Sequence, residues 1–272
     1  AAVHGTALGG GLEFAMMCHY RVAVPSARCG LPEVNIGILP GGGGTQALPR
    51  IVGVERALEM MTTGRHVPAK EALALGIFDE LAPEDKLRET AIAFARKVIA
   101  EKRGIKRVRD LTDKVEAARK NPDLIASFKK ANARKLRNMN APQNIIKCVE
   151  AAVTLPFDGG MNRETELSQE LHAGPQAPAM RHAFFAEREA AKIPDVPDDT
   201  AEIPVDSVGI IGAGTMGGGI AMNFVNVGIP VKIIETKQEA LDRGLSVIRK
   251  NYERTAQRGG MTQDDVEKRM KL

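Results

Sequence analysis

The chain has 272 residues, 43% of them apolar and 26% charged, the mix of a globular protein with room for two domains of ordinary size. Aromatic residues make up only 4% and Trp is absent, which argues against stacking platforms for single-stranded nucleic acid. The net charge of +4 suits an anionic small ligand such as a nucleotide and is too weak and scattered for DNA.

The opening AAVHG reads as the end of a buried strand, and the closing DDVEKRMKL falls within a helical pattern, so the sequence is expected to be an internal fragment. Residues 1–82 are Gly-rich and apolar, with short elements. VHGTALGGGLEFAMMCHYR passes through Gly9–Gly11 into a helix from about Leu12, and YRVAV (20–24) reads as a buried strand. VERALEMMTTG (54–64) and PAKEALALG (68–76) read as helices stopped by glycine, and IFDELAP (77–83) as a strand entering a turn. Residues 84–191 turn helical and rich in Lys, Arg, Ala and Glu, with EKRGIKRVRD (101–110) as a solvated basic face or loop. KIPDVPDDTAEIP (192–204) sets Pro194, Pro197 and Pro204 among acids, a stiff extended linker and domain boundary. Then VDSVGIIGAGTMGGGIAMNFVNVGIPVKIIET predicts a strand (205–211), a Gly-rich turn, a helix (about 215–227) ended by Gly228, and a strand (230–234) ending in Glu235; residues 237–272 read as helical. No apolar run is long enough for a bilayer, and neither a signal peptide nor an internal repeat is expected within these residues. Cys18, Cys29 and Cys148 lack CxxC spacing and read as reduced thiols of an intracellular protein.

Gly212, Gly214 and Gly217 have GxGxxG spacing in the right context, strand before and helix after. The first allows the tight turn, the second lets a pyrophosphate approach the backbone, and the third lets helix and strand pack closely. Phosphates would sit at the helix N-terminus. Glu235, 23 residues after Gly212, is placed for the ribose hydroxyls and would repel a 2′-phosphate, so NAD is favoured over NADP. The alternative is a Gly-rich turn that binds nothing.

At the other end, Gly9–Gly11 bend the chain so that an amide at Gly10 could meet a developing oxyanion, with Glu13 one turn further on. Acids favour helix N-termini electrostatically, so Glu13 also fits as a plain helix-start residue. GLPEVNIGILPGGGGTQ brings a second acid, Glu33, twenty residues later, followed by Gly41–Gly44. Two acids in apolar, Gly-bent segments are costly unless used or paired. Facing each other, they would split their protonation into one acid and one base.

The run AAVHGTALGGGLEFAMMCHYRVAVPSARCGLPEVNIGILPGGGGTQALPRIVG closely resembles the enoyl-CoA hydratase/isomerase (crotonase) family, and the likeness extends through GRHVPAKEALALGIFDEL to about residue 82. CVEAAVTLPFDGGMNRETELSQEL and RHAFFAEREAAKIP resemble the connector of multifunctional fatty acid β-oxidation enzymes, and the Gly-rich module resembles the NAD-binding start of 3-hydroxyacyl-CoA dehydrogenase. The resemblance implies an α/β chain: the C-terminal part of a crotonase (ββα spiral) domain over 1–110, a helical connector and Pro-rich linker over 111–204, and the start of a Rossmann domain over 205–272.

It also implies roles. Gly10 supplies an oxyanion amide, Glu13 takes a proton from water, Glu33 delivers one to C2, and Gly41 helps orient the water. Keeping both acids favours a hydratase, with isomerase activity as an option. NAD contacts fall on Gly212, Gly214, Thr215, Met216, Gly217 and Glu235, and Glu187 is either near bound substrate or a plain solvated helix acid. The second oxyanion amide and much of the CoA pocket are expected upstream, and the dehydrogenase's catalytic His beyond Leu272. The five histidines read as structural, without metal-ligand spacing. Expected substrates are enoyl-CoA and 3-hydroxyacyl-CoA, a thiolase subunit is a candidate partner, and the location is the bacterial cytoplasm or the peroxisome. Rival readings are a catalytically silent CoA/NAD-binding module or another crotonase reaction such as isomerisation.

Overall fold

The computed structural model describes residues 1–197 and 199–272; Asp198, in the Pro-rich linker, lies outside them. The chain forms two compact units, Ala1–Lys192 and Ile193–Leu272.

The first unit opens with β1 (Ala2–Val3), β2 (Thr6–Leu8), α1 (Gly10–Met17), β3 (Val22–Ala23) and β4 (Arg28–Gly30), followed by a 3₁₀ turn at Glu33–Ile36. Next come α2 (Gly44–Val52), α3 (Val54–Thr63), β5 (Val67–Pro68), α4 (Ala69–Ala74) and β6 (Glu80–Leu81). The rest is helical: α5 (Leu87–Ala100), α6 (Asp113–Arg119), α7 (Asp123–Leu136), α8 (Asn140–Thr154), α9 (Phe157–Ala173) and α10 (Gln176–Ala190). The strands make two small sheets. One is parallel, in the order β1-β3-β6; in the other β4 lies between β2, parallel to it, and β5, antiparallel. Two strand–helix passages, β2 to α1 and β4 to the 3₁₀ turn, therefore start from neighbouring strands of one sheet, and this brings Glu13 and Glu33 to the same end of the unit.

The glycine stops predicted after residues 63 and 75 are real: Gly64 and Gly76 have φ of 65° and 81°, conformations that L side chains avoid. The core joins Leu12 and Met16 of α1, Leu48 of α2, Leu58 and Met61 of α3, Ile145 and Val149 of α8, and Leu167 of α9. Fully burying each such side chain contributes about 1.5–3 kcal/mol. Arg21 is buried beneath α1; its guanidinium donates to the carbonyls of Ile77 (2.5 Å), Cys18 (3.1 Å) and Met16 (3.4 Å) and pairs with Asp79. It thus satisfies carbonyls that the end of a helix leaves open.

The second unit contains β7 (Val208–Ile211), α11 (Thr215–Asn226), β8 (Val231–Ile234), α12 (Gln238–Gln257) and α13 (Gln263–Arg269). β7 and β8 are parallel and in register from Val208 opposite Val231 to Ile211 opposite Ile234. Thr262 caps α13 in a reciprocal capping box with Asp265. Among the described residues, no helix is long and apolar enough to cross a membrane.

Candidate active site

Gly9 turns the chain from β2 into α1 with φ 54° and ψ −129°, donating its N–H to the Gly30 carbonyl at 3.0 Å. Its own carbonyl accepts from the amides of Leu12 and Glu13, so the helix begins at Gly10, two residues before the expected start. Gly10 faces open space in a cleft of about 790 Å³. Amides in the first turn of a helix lack intrahelical acceptors, so this position suits an oxyanion.

Glu13 is 6% exposed, and its Oε1 accepts the amides of Gly42 and Gly44, both at 2.8 Å. The glycines explain that approach. A Cβ on Gly42 would lie 2.8 Å from Glu13 Oε2, and one on Gly44 2.8 Å from Oε1.

Glu33 opens the 3₁₀ turn, and its carboxylate lies beside the start of α1: a Cβ on Gly9 would be 3.0 Å from Glu33 Oε1. Glu33 Oε2 is buried and has no hydrogen-bond partner among the described residues. Burial pushes this carboxyl up to about 7; its own backbone amide opposes the shift, and the charges of Glu13 and Glu164 add to it. Both predicted acids therefore line one cleft, with Gly10 and Gly41 beside them.

Glu164 of α9 is a third acid that sequence reasoning passed over. It is 0% exposed and accepts from the amides of Gly43 (2.8 Å) and Thr45 (3.2 Å) and from the Thr45 hydroxyl (2.5 Å). Ser168 and His172 of α9, with Phe184 and Arg188 of α10, form the far wall, and the Arg188 guanidinium stacks 3.4 Å from the Phe184 ring centroid. Arg188, not its exposed neighbour Glu187, reaches the cleft. His66 and His172, expected to be only structural, also line it. A larger apolar hollow of about 1000 Å³ against α5 has no paired acids and is not the candidate.

In the second unit, Gly212 takes φ 97° after β7. A Cβ on Gly217 would overlap the Gly212 carbonyl oxygen, whereas one on Gly214 would meet nothing within 4 Å. The turn is therefore closed below and open above, a cradle into which a pyrophosphate fits. Glu235 Oε2 accepts the Ala213 amide at 3.0 Å, and Oε1 accepts the Thr236 amide at 2.7 Å. Those donors, Ala213 first, hold the exposed carboxyl below the usual carboxylate range. Thr215 and Glu235 line a cleft of about 440 Å³. Apart from Gly214, its other lining residues were not foreseen, Arg243 and Gly244 among them. Gly244 of α12 fits because a Cβ there would overlap the Ala213 carbonyl oxygen, and Arg243 supplies a cation.

The family model for enoyl-CoA hydratase/isomerase matches residues 1–154. The chain belongs to the enoyl-CoA hydratase/isomerase family. Within this hydratase/isomerase chain, residues 207–272 match the model of the 3-hydroxyacyl-CoA dehydrogenase NAD-binding domain. The peroxisomal bifunctional enzyme of Cavia porcellus is 42% identical over 265 residues, 94% of this chain and 35% of its own length. The peroxisomal fatty acid beta-oxidation multifunctional protein MFP2 of Arabidopsis thaliana is 34% identical across 100% of this chain and 38% of its own length. A solved carnitinyl-CoA hydratase from Mycobacterium avium is 27% identical, covering 69% of this chain and 59% of that one, with a TM-score of 0.46. The chain thus spans about a third of the length of the curated relatives it matches. The cleft wall built from α9 and α10 lies beyond the residues that match the hydratase/isomerase model.

Proposed function

We propose that the first unit hydrates trans-2-enoyl-CoA to 3-hydroxyacyl-CoA in fatty acid β-oxidation, and that the protein then oxidises that product to 3-ketoacyl-CoA with NAD. The observation that carries this reading is the pair of carboxylates, Glu13 and Glu33, lining one cleft with the free start of α1 between them.

In this reading the thioester carbonyl lies at the Gly10 amide, where charge on its oxygen is stabilised as the double bond is attacked. Glu13, oriented by the amides of Gly42 and Gly44, accepts a proton from water as the water oxygen bonds to C3. Glu33 delivers its proton to C2, so the sum is addition of one water. Gly41, at the edge of the same cleft, orients that water. In the second unit Gly212, Gly214 and Gly217 with Thr215 and Met216 would hold the pyrophosphate of NAD, and Glu235 its adenosine ribose. NAD bound there supplies the acceptor for hydride from C3 of the hydroxyacyl product. The division into a hydratase part (1–110), a connector (111–204) and an NAD-binding part (205–272) belongs to this reading. So do a thiolase subunit as partner and, given relatives named as peroxisomal, a peroxisomal location.

A substrate panel offered to the full-length protein with and without NAD tests it. Enoyl-CoA should give 3-hydroxyacyl-CoA alone and 3-ketoacyl-CoA when NAD is added. Double-bond migration without hydration would instead make it an isomerase, and cofactor binding with no turnover a silent binding module.

A further inference from the structure

We propose that Glu164 is a positioning residue of the hydration site: from α9 it grips the 41–45 loop on the side opposite Glu13 and brings a third carboxylate up to the reacting pair. The inference rests on the hydration reading above.

The grip is visible in the order of the amides. Gly42 and Gly44 donate to Glu13, while Gly43 and Thr45 donate to Glu164. Four successive N–H groups thus alternate between two carboxylates. Hydrogen bonds to a charged acceptor are the stronger kind, and the loop cannot shift toward one acid without stretching its bonds to the other. Glu13 is thereby held in place from behind.

The approach of α9 is built for this. One turn before Glu164, a Cβ on Gly160 would overlap Gln46 Oε1, so the glycine lets α9 sit close to α2 without displacing the Gln46 amide. One turn after it, Ser168 Oγ would be 3.2 Å from a Cβ on Gly41, and Ser168 and His172 continue the same stripe into the cleft. An uncharged acceptor could cap the loop at less cost, because burying a carboxylate is expensive. The charge is what Glu164 adds. Burial pushes its carboxyl up to about 7, with the charge of Glu13 adding and Thr45 and Gly43 opposing, and its own charge helps raise Glu33. The other titratable groups around it are Cys148 on α8, pushed up to about 12 by burial and by Glu164, with Lys147 and Arg163 on the flank. His66, His172 and Arg188 line the neighbouring cleft.

The test is the pH profile of crotonyl-CoA hydration by the full-length protein carrying E164Q, with E13Q and E33Q alongside. E164Q should lower kcat about tenfold with KM within about twofold of wild type. It should also move the alkaline limb of the kcat profile to lower pH by about half a unit or more, because Glu33 loses a negative neighbour that favours its protonated form. A loop support without electrostatic reach would lower kcat and leave the limb in place, and an unmoved limb overturns the proposal. If E164Q does not fold, the near-isosteric T45V removes the hydroxyl donor, leaves Glu164 less ionised and should move the limb the same way by about 0.3 unit; an unmoved limb there overturns the proposal equally. Loss of activity in E13Q and E33Q with a wild-type profile in E164Q defeats this proposal alone. A wild-type protein that does not hydrate defeats the hydration reading, and the proposal with it.

Discussion

Delivery of a proton to C2 requires Glu33 to hold one. Its carboxyl is raised to about 7, so it is protonated below that pH and ionised above it. Hydration should therefore fall as pH rises through about 7, and a kcat profile that keeps climbing to pH 9 would exclude Glu33 as the acid. Glu164 makes a separate prediction, about stability. Its folded-state value, also about 7, is above the usual 4.5, so the folded chain binds this proton more tightly than the unfolded chain. The resulting contribution is fully present below about 4.5 and is lost as pH rises through about 7. Urea unfolding of the full-length protein at pH 5.5 and pH 8 should show a smaller difference between the two in E164Q than in wild type. The sequence made Glu13 and Glu33 legible because each is a lone acid in an apolar, Gly-bent stretch. Glu164 was not legible, because in RETELSQEL it is one acid among several on a polar helix, and only packing against α2 selects it.

The glycine runs act at the scale of the element. Gly41–Gly44 free one side of the α2 N-terminus for Glu13 and the other for Glu164, and at Gly42, where a Cβ would meet only the Glu13 carboxyl, a methyl group acts on catalysis more than on the fold. G42A should displace the Glu13 carboxylate, since its Cβ would stand 2.8 Å from Oε2, and lower hydration kcat about tenfold or more while the far-ultraviolet circular dichroism stays native. Wild-type turnover in G42A would show that the loop yields. In the second unit, G217A would set a methyl group against the Gly212 carbonyl and open the turn. NAD affinity, measured by calorimetry, should fall at least about tenfold with hydration unchanged. Helix and strand types were legible from glycine stops and apolar runs. Boundaries were less so: α1 starts at Gly10 rather than Leu12, because Gly9 alone completes the turn, and the strand expected over 77–83 pairs only at Glu80 and Leu81.

For the whole molecule, the reading is of two chemistries in series, the product of one unit being the substrate of the next. Cofactor choice belongs at this scale. Glu235 should make NADP bind at least about tenfold more weakly than NAD, about 1.4 kcal/mol, through one repulsive contact with a 2′-phosphate. Glu235→Ala should bring the two cofactors within about threefold, with Arg243 in the same cleft as the cation for the phosphate. An undiminished preference for NAD in that variant would remove Glu235 from the ribose site. The order of the two modules could be read in the chain because each carries a local motif. The wall supplied by α9 and α10 could not, since it depends on helices more than a hundred residues from Glu13 folding back over the 41–45 loop.

The most direct test of the central claim is the loss of the conjugated-thioester absorbance of crotonyl-CoA, followed with the full-length protein and its E13Q and E33Q variants. The two-carboxylate account predicts rapid hydration by wild type and a fall of about 10²-fold or more in each variant. Rates within about threefold of wild type in both variants would contradict it.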